Sequence, residues 1–128
     1  MIDDLIDTNV FSEIFKNNIP VKQYVEKLAA GIDTTIYVEC LQGQKSNAEK
    51  QIIKKYLATF PILHFTPEVS ERTIALIDAY SNSHGLQLPD AQIAAVCLEN
   101  DLTLVTYNVK DFQFIAGLTI AVPPFPTI

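Results

Sequence analysis

The chain has 128 residues, of which 48% are hydrophobic and 19% are charged, and its formal net charge is −6 at pH 7. This size and composition predict a folded, soluble, cytoplasmic protein with a single domain spanning residues 1–128, and with neither a membrane span nor a signal peptide. The negative charge argues against a general nucleic-acid-binding protein, which would carry a basic patch, unless a divalent cation helps to neutralise a polyanionic ligand. Cys40 and Cys97 have no second Cys or His at ligand spacing, so buried thiols are expected rather than a disulfide or a zinc site.

The first third of the chain alternates apolar runs with helical patterns. Residues 3–6 predict a short strand, and a helix follows from about Asn9 to Phe15. The segment PVKQYVEKLAAG, from Pro20, predicts a second helix because it starts with proline, stops at glycine and carries its apolar residues on one face. The segment DTTIYVE, residues 33–39, predicts the second strand, which runs into a short helix.

The rest of the chain continues this alternation. Three more strands are predicted in the apolar runs ILHF, LTLVT and LTIAV, at residues 62–65, 102–106 and 118–122. Helical spacing of apolar residues predicts three helices, at residues 48–60, at residues 69–80 and from Pro89 onward. Strands that alternate with helices indicate an α/β fold, which we expect to be a three-layer α/β/α sandwich with a central, mainly parallel sheet.

Four acids follow the predicted strands or lead into one of them. Asp7 ends the first strand, Glu39 follows the second, Asp111 follows LTLVT, and Asp90 lies in the first turn of the helix that leads into LTLVT. Ligands of open α/β sheets bind beyond the carboxyl ends of the strands, so these acids are expected at one edge. Two carboxylates about 4 Å apart repel by roughly 4 kcal/mol at an effective dielectric constant of 20, so a cluster needs a cation, a shared proton or N–H donors. Oxygen ligands favour Mg²⁺ or Mn²⁺, although an acid taken singly favours a simpler interpretation, a helix cap for Asp7 or Asp90 and a solvated side chain for Glu39.

Three segments, LIDTNVFSEIF, TTIYVECLQG and LPDAQIAAVCLENDLTLVTYNVKDFQFIAGL, resemble the PIN domain in its small bacterial toxin (VapC-type) branch. The resemblance covers nearly the whole chain, and the last segment is its most specific part. It implies a Mg²⁺-dependent endoribonuclease, with Mn²⁺ as a substitute, that cuts tRNA or mRNA and is restrained by a cognate antitoxin. It also implies a homodimer, and it makes four residues both metal ligands and catalytic: Asp7, Glu39, Asp90 and Asp111.

The resemblance also singles out residues that would support this site. Thr8 and Thr106 fall at motif positions where a hydroxyl could orient a carboxylate or a water, and local capping is an equally good interpretation. Asn108 stands where the family often has Asp or Asn, so Asn108 and Asp111 are alternatives for the fourth position. We favour Asp111 for charge and Asn108 for positioning. Ile36 occupies a position where the family often has Thr, which leaves the surroundings of Glu39 open.

Two alternative functions belong to other classes. A PIN-like fold that has lost its activity would serve only as a binding module, and Asn108 keeps this alternative open. A receiver-type signalling domain would need an Asp at the end of its third strand. The segment ILHFTPE offers Thr66 and Pro67 there, which argues against a receiver.

Overall fold

The structure, a computed structural model, describes residues 1–125 of the chain. Five strands form one sheet in the order β3-β2-β1-β4-β5, and every paired neighbour runs parallel. The strands are Asp4–Ile6 (β1), Ala30–Asp33 (β2), Ile62–Leu63 (β3), Thr103–Val105 (β4) and Thr119–Ala121 (β5). The helices are Thr8–Phe15 (α1), Ile19–Glu26 (α2), Thr34–Gln42 (α3), Asn47–Leu57 (α4), Pro67–His84 (α5) and Leu88–Asn100 (α6), and a 3₁₀ turn follows at Val109–Asp111.

The strand order explains why both faces of the sheet carry helices. The chain moves from β1 through β2 to β3 in one direction and then crosses back to β4. Because crossovers between parallel strands are right-handed, α1 to α4 lie on one face and α5 and α6 on the other. Helix α1 accordingly packs on α2 and α3, and α5 packs along α6. The predicted three-layer α/β fold is confirmed.

The hydrophobic core is built around the two central strands. Leu5 of β1 and Leu104 of β4 are fully buried, as expected for parallel strands that are covered on both faces. Helix α6 buries six residues, Ala91, Ile93, Ala94, Ala95, Val96 and Cys97. Cys40 and Cys97 are free, buried thiols, as predicted. Burial and nearby carboxylates raise the pKa of Cys40 to about 12, so this thiol is unreactive at neutral pH. No helix within residues 1–125 combines the length and hydropathy needed to cross a bilayer.

The predicted second strand is misplaced. Only Asp33 of the segment DTTIYVE lies in a strand, as the last residue of β2 (Ala30–Asp33), and the rest of the segment lies in helix α3, Thr34–Gln42. The Asp33 side chain caps this helix by accepting a hydrogen bond from the Ile36 N–H at 2.8 Å. Ile36 and Cys40, one helical turn apart, are both buried. The cap and this burial override the preference of β-branched residues for strands.

Two smaller features also differ from the prediction. Gly31 was predicted to stop the second helix, but it lies inside β2, where a Cβ would approach Ile2 Cδ1 to 2.8 Å. A side chain at this position would therefore require Ile2 to shift and would crowd the Pro61 carbonyl oxygen at 3.2 Å. In α4 the buried residues are Ile53 and Leu57, whereas Ile52, from the predicted apolar set, is 68% exposed.

Candidate active site

The four predicted acids lie along one edge of the sheet, beyond the carboxyl ends of its central strands. Asp7 directly follows β1 and caps α1, Asp90 lies in the first turn of α6, and Asp111 ends the 3₁₀ turn after β4. Glu39 does not directly follow a strand, as the sequence had suggested, but lies in the second turn of α3. Burial and then the charges of the other three acids raise the pKa of Asp90. The four carboxyl groups are therefore close enough to influence one another.

Asp7 is the most deeply placed of these acids, with 5% of its surface exposed. Its Oδ1 accepts a hydrogen bond from the Thr8 N–H at 2.8 Å. Its Oδ2 accepts from Thr106 Oγ1 at 2.8 Å and from Asn9 Nδ2 at 3.3 Å. Burial is the largest influence on this carboxyl and raises its pKa, while the donors from Thr106 and Thr8 oppose that rise. The hydrogen bonds therefore fix the position of the Asp7 carboxylate, while its burial disfavours the charged form.

The Thr8 hydroxyl connects the first acid to the second. Thr8 Oγ1 donates to Glu39 Oε1 at 2.7 Å, across the contact between α1 and α3. Glu39 thus receives from Thr8 the hydroxyl hydrogen bond that Ile36, the apolar residue one turn before it, cannot offer. The surroundings of Glu39, which the sequence left open, are supplied by a different helix.

Thr106 and Asn9 tie α1 to the segment after β4. Thr106 Oγ1, which donates to Asp7, also accepts from Asn9 Nδ2 at 3.1 Å and from the Asn108 N–H at 3.0 Å. Asn9 Oδ1 accepts from the Tyr107 N–H at 3.1 Å. The sequence prediction missed Asn9. The available signal was its place in LIDTNVF, because it follows the strand-end acid Asp7 by two residues.

The remaining acid positions are more accessible. Asp90 is half-buried, and burial first, then the neighbouring carboxylates, raise its pKa to about 6. Asp111 and Asn108 are both exposed. The charge of Asp111 acts on Asp7 and Asp90, whereas Asn108 makes backbone contacts, through its N–H to Thr106 Oγ1 and through its carbonyl oxygen to the Asp111 N–H. This arrangement is compatible with Asp111 as the fourth acid and Asn108 as a positioning residue.

A fifth carboxylate, Asp33, belongs to the same edge and was missed by the sequence prediction. Asp33 is fully buried at the end of β2. Burial is the main cause that raises its pKa to about 6, and the charges of Asp7 and Glu39 add to it. The misplaced strand concealed this residue. The signal was the run AGID, which ends in Asp as DLID does.

The donor set fits a hard divalent cation, although no ligand shell is complete. Within residues 1–125, no three His, Cys, Asp or Glu side chains converge closely enough to hold a metal ion unaided. The two ion pairs found there, Lys16–Glu13 and Arg72–Glu99, leave the site acids without a basic partner. Proteins commonly hold Mg²⁺ through one or two carboxylates, with waters and substrate phosphates completing the octahedron. The raised pKa values of Asp7 and Asp90 indicate carboxylates that a cation would stabilise.

Glu39 lies on the rim between two clefts. One cleft, of about 290 Å³, is lined by Thr8, Lys16 and Glu39 among others. The other, of about 280 Å³, is lined by Glu39, Phe65 and Gln92 among others. An extended ligand that crossed the acidic edge would therefore find space on both sides of Glu39.

The raised carboxyl pKa values predict how stability changes with pH in the absence of metal. Asp33 and Asp90 have pKa values of about 6 in the folded protein against 3.8 for the ordinary group. The folded state therefore binds protons at higher pH than the unfolded state. Stability should decrease as the pH rises from about 4 to about 6, with the full penalty above that window.

Thermal unfolding in EDTA, measured from about pH 4.5 to about pH 7.5, checks this expectation. The Tm should rise as the pH falls, and Asp90→Asn should show a flatter dependence. A Tm that falls steadily with acidification over this range would contradict the assigned pKa shifts.

Known proteins resemble this chain in sequence and in fold. The chain matches the PIN domain family over residues 5–118. It is 29% identical over 124 residues to Ribonuclease VapC1 of Rickettsia felis, a match that covers 91% of this chain and 92% of that protein. A toxin–antitoxin complex from Klebsiella pneumoniae contains a chain of 31% identity and TM-score 0.80, with 95% of this chain and 98% of that chain covered.

A further solved structure, VapBC2 from Rickettsia felis bound to a promoter DNA fragment, has a TM-score of 0.81 at 24% identity, with 95% of this chain and 98% of that chain covered. At that identity the similarity shows the fold alone. The resemblance to the VapC-type branch that was inferred from the sequence is confirmed by the family match and by the similarity to Ribonuclease VapC1. The chain belongs to the PIN-domain family.

Proposed function

We propose that this protein is a metal-dependent endoribonuclease, the toxin of a toxin–antitoxin pair, that hydrolyses phosphodiester bonds in tRNA or mRNA. The observation that carries the proposal is the set of four acids, Asp7, Glu39, Asp90 and Asp111, whose charges share one sheet edge without a basic partner in residues 1–125. Family membership and the similarity to a ribonuclease support it.

In this proposal the four acids hold Mg²⁺, or Mn²⁺ in its place. When bound, the ion would activate a water and neutralise charge that develops on the phosphate. The chain's own contribution is to fix the ligands. The Thr8 hydroxyl orients Glu39, and Thr106 with Asn9 locks the Asp7 carboxylate. Asn108 supports this arrangement by donating its N–H to Thr106.

The charge of the chain determines how an RNA substrate would have to be bound. RNA is a polyanion, and a chain of net charge −6 has little general affinity for it. The cation would therefore help to bind the substrate as well as to cleave it. The clefts on either side of Glu39 offer a path for the RNA backbone, and Lys16 lines one of them. Lys110, exposed in the turn that ends at Asp111, is a second candidate for phosphate contact.

The proposed partners are a cognate antitoxin and a second copy of the chain, in the cytoplasm. An acidic edge that has no basic partner within residues 1–125 suits a basic side chain brought by an antitoxin. Three exposed apolar residues line a further cleft between α5, α6 and the segment before α5, and they support a protein–protein interface there: Phe65, Ile74 and Leu88.

Cleavage of a mixed tRNA and mRNA pool tests the proposal. Purified protein with Mg²⁺ or Mn²⁺ should yield discrete products, and these should disappear in EDTA and in the Asp90→Asn variant. DNA of matched sequence should be cut far more slowly. Asp101→Asn is a control for charge, because Asp101 ends α6 at the opposite edge of the sheet.

Products that persist in Asp90→Asn would show that the activity comes from another site or a contaminant. No cleavage by folded protein that is free of antitoxin would favour the inactive binding module instead.

A further inference from the structure

We propose that Asp33 is a fifth carboxylate of the candidate site, a buried supporting charge that strengthens the binding of a divalent cation by Asp7 and Glu39. Asp33 does not act as a ligand in this proposal. It sets the electrostatic potential behind the ligands. The inference rests on the proposed metal-dependent function.

The sheet register places Asp33 beside Asp7. Leu5 of β1 is paired with Gly31 of β2, so the same register, continued by two residues, sets Asp7 next to Asp33. Each ends its strand and each caps the helix that follows, Asp7 by accepting from the Thr8 N–H and Asp33 from the Ile36 N–H. Two neighbouring parallel strands therefore end in carboxylates at the same level of the sheet.

The hydrogen bonding of Asp33 is incomplete in a way that capping does not explain. Its Oδ1 accepts from the Ile36 N–H at 2.8 Å. Its Oδ2 is buried and is the one buried side-chain N or O atom without a hydrogen-bond partner among the described residues. A buried polar atom without a partner costs free energy, and native proteins rarely retain one without a reason.

A helix cap does not need the negative charge that Asp33 carries. Ser, Thr or Asn at this position would accept the same hydrogen bond without bringing a charge. Asp33 is fully buried, and the charges of Asp7 and Glu39 act on it and help to raise its pKa to about 6. The register sets it next to the Asp7 carboxylate. Carboxylates this close repel one another. A divalent cation held by Asp7 and Glu39 would attract the Asp33 carboxylate and offset this repulsion, because buried charges interact strongly.

The test measures Mn²⁺ affinity without RNA, by titration calorimetry, and the Tm without metal. Asp33→Asn and Asp33→Ser both keep a cap for α3 and remove the charge. We expect the Kd for Mn²⁺ to rise about tenfold in both variants, the range found when groups that support metal ligands are removed. The metal-free Tm should stay at the wild-type value or rise, and Asp101→Asn should bind Mn²⁺ like the wild type.

The outcomes separate this inference from the proposed function. A wild-type protein that binds no Mn²⁺ would overturn the metal site and the role of Asp33 together. A wild type that binds Mn²⁺ and variants with the same Kd would overturn the role of Asp33 alone and leave it a helix cap. Failure of both variants to fold would also overturn it, because Asp33 would then be needed for the structure itself.

Discussion

Replacing Asp7 by Asn should lower the rate of RNA cleavage by about 10³-fold, which corresponds to about 4 kcal/mol of transition-state stabilisation. The variant loses the charge of the innermost proposed ligand while keeping its shape. An Asn oxygen can still accept from the Thr8 N–H, so α1 should keep its cap. Because burial raises the pKa of Asp7, the loss of charge should leave the metal-free Tm unchanged or higher.

Initial rates on one RNA substrate in Mg²⁺, together with thermal unfolding in EDTA, check this prediction. The combination of a large loss of activity with retained stability distinguishes a ligand from a structural residue. Asp101→Asn should keep the wild-type rate. If Asp7→Asn stays within about tenfold of the wild type, Asp7 is not a metal ligand in the reaction.

Phe11→Ala should destabilise the fold by about 3–5 kcal/mol, the usual cost of truncating a fully buried aromatic residue. Phe11 has no exposed surface, and its ring packs against Phe15, Tyr56 and Phe60 with centroids 6.1, 6.3 and 5.3 Å away. This aromatic cluster joins α1 to α4 and the residues after it. The variant would leave a cavity under α1, the helix that Asp7 caps.

Urea denaturation of the wild type and the variant measures the change in the free energy of unfolding. Ile52→Ala is a matched control on α4, because Ile52 is 68% exposed and its truncation should change stability by less than about 0.5 kcal/mol. Equal effects of the two substitutions would show that the aromatic cluster does not stabilise the fold.

The sequence alone was enough for the fold class and for the choice of candidate acids. Apolar periodicity, together with Pro and Gly at helix ends, predicted the alternation of strands and helices, because these signals act over a few residues. Asp7 and Asp90 were recognisable for the same reason, since each directly follows or begins a regular element. The resemblance to the PIN domain gave the four acids a common expected role, and the family it pointed to is confirmed.

The second strand shows where local signals mislead. Thr34, Thr35 and Ile36 favour a strand by propensity, yet they open helix α3. What decides between the two is the Asp33 cap and the burial of Ile36 against the core, and burial depends on elements distant in the chain. The same error hid Asp33, the acid on which the further inference depends.

Only the tertiary structure decided how the acids are held. The bond from Thr8 to Glu39 joins residues 31 apart in the chain, and the bond from Thr106 to Asp7 joins residues 99 apart. Neither partner could be chosen from spacing, because the order β3-β2-β1-β4-β5 and its register determine which strand ends are neighbours. The sequence determined which side chains carry charge and which elements they end. The sheet order determined which of those ends meet.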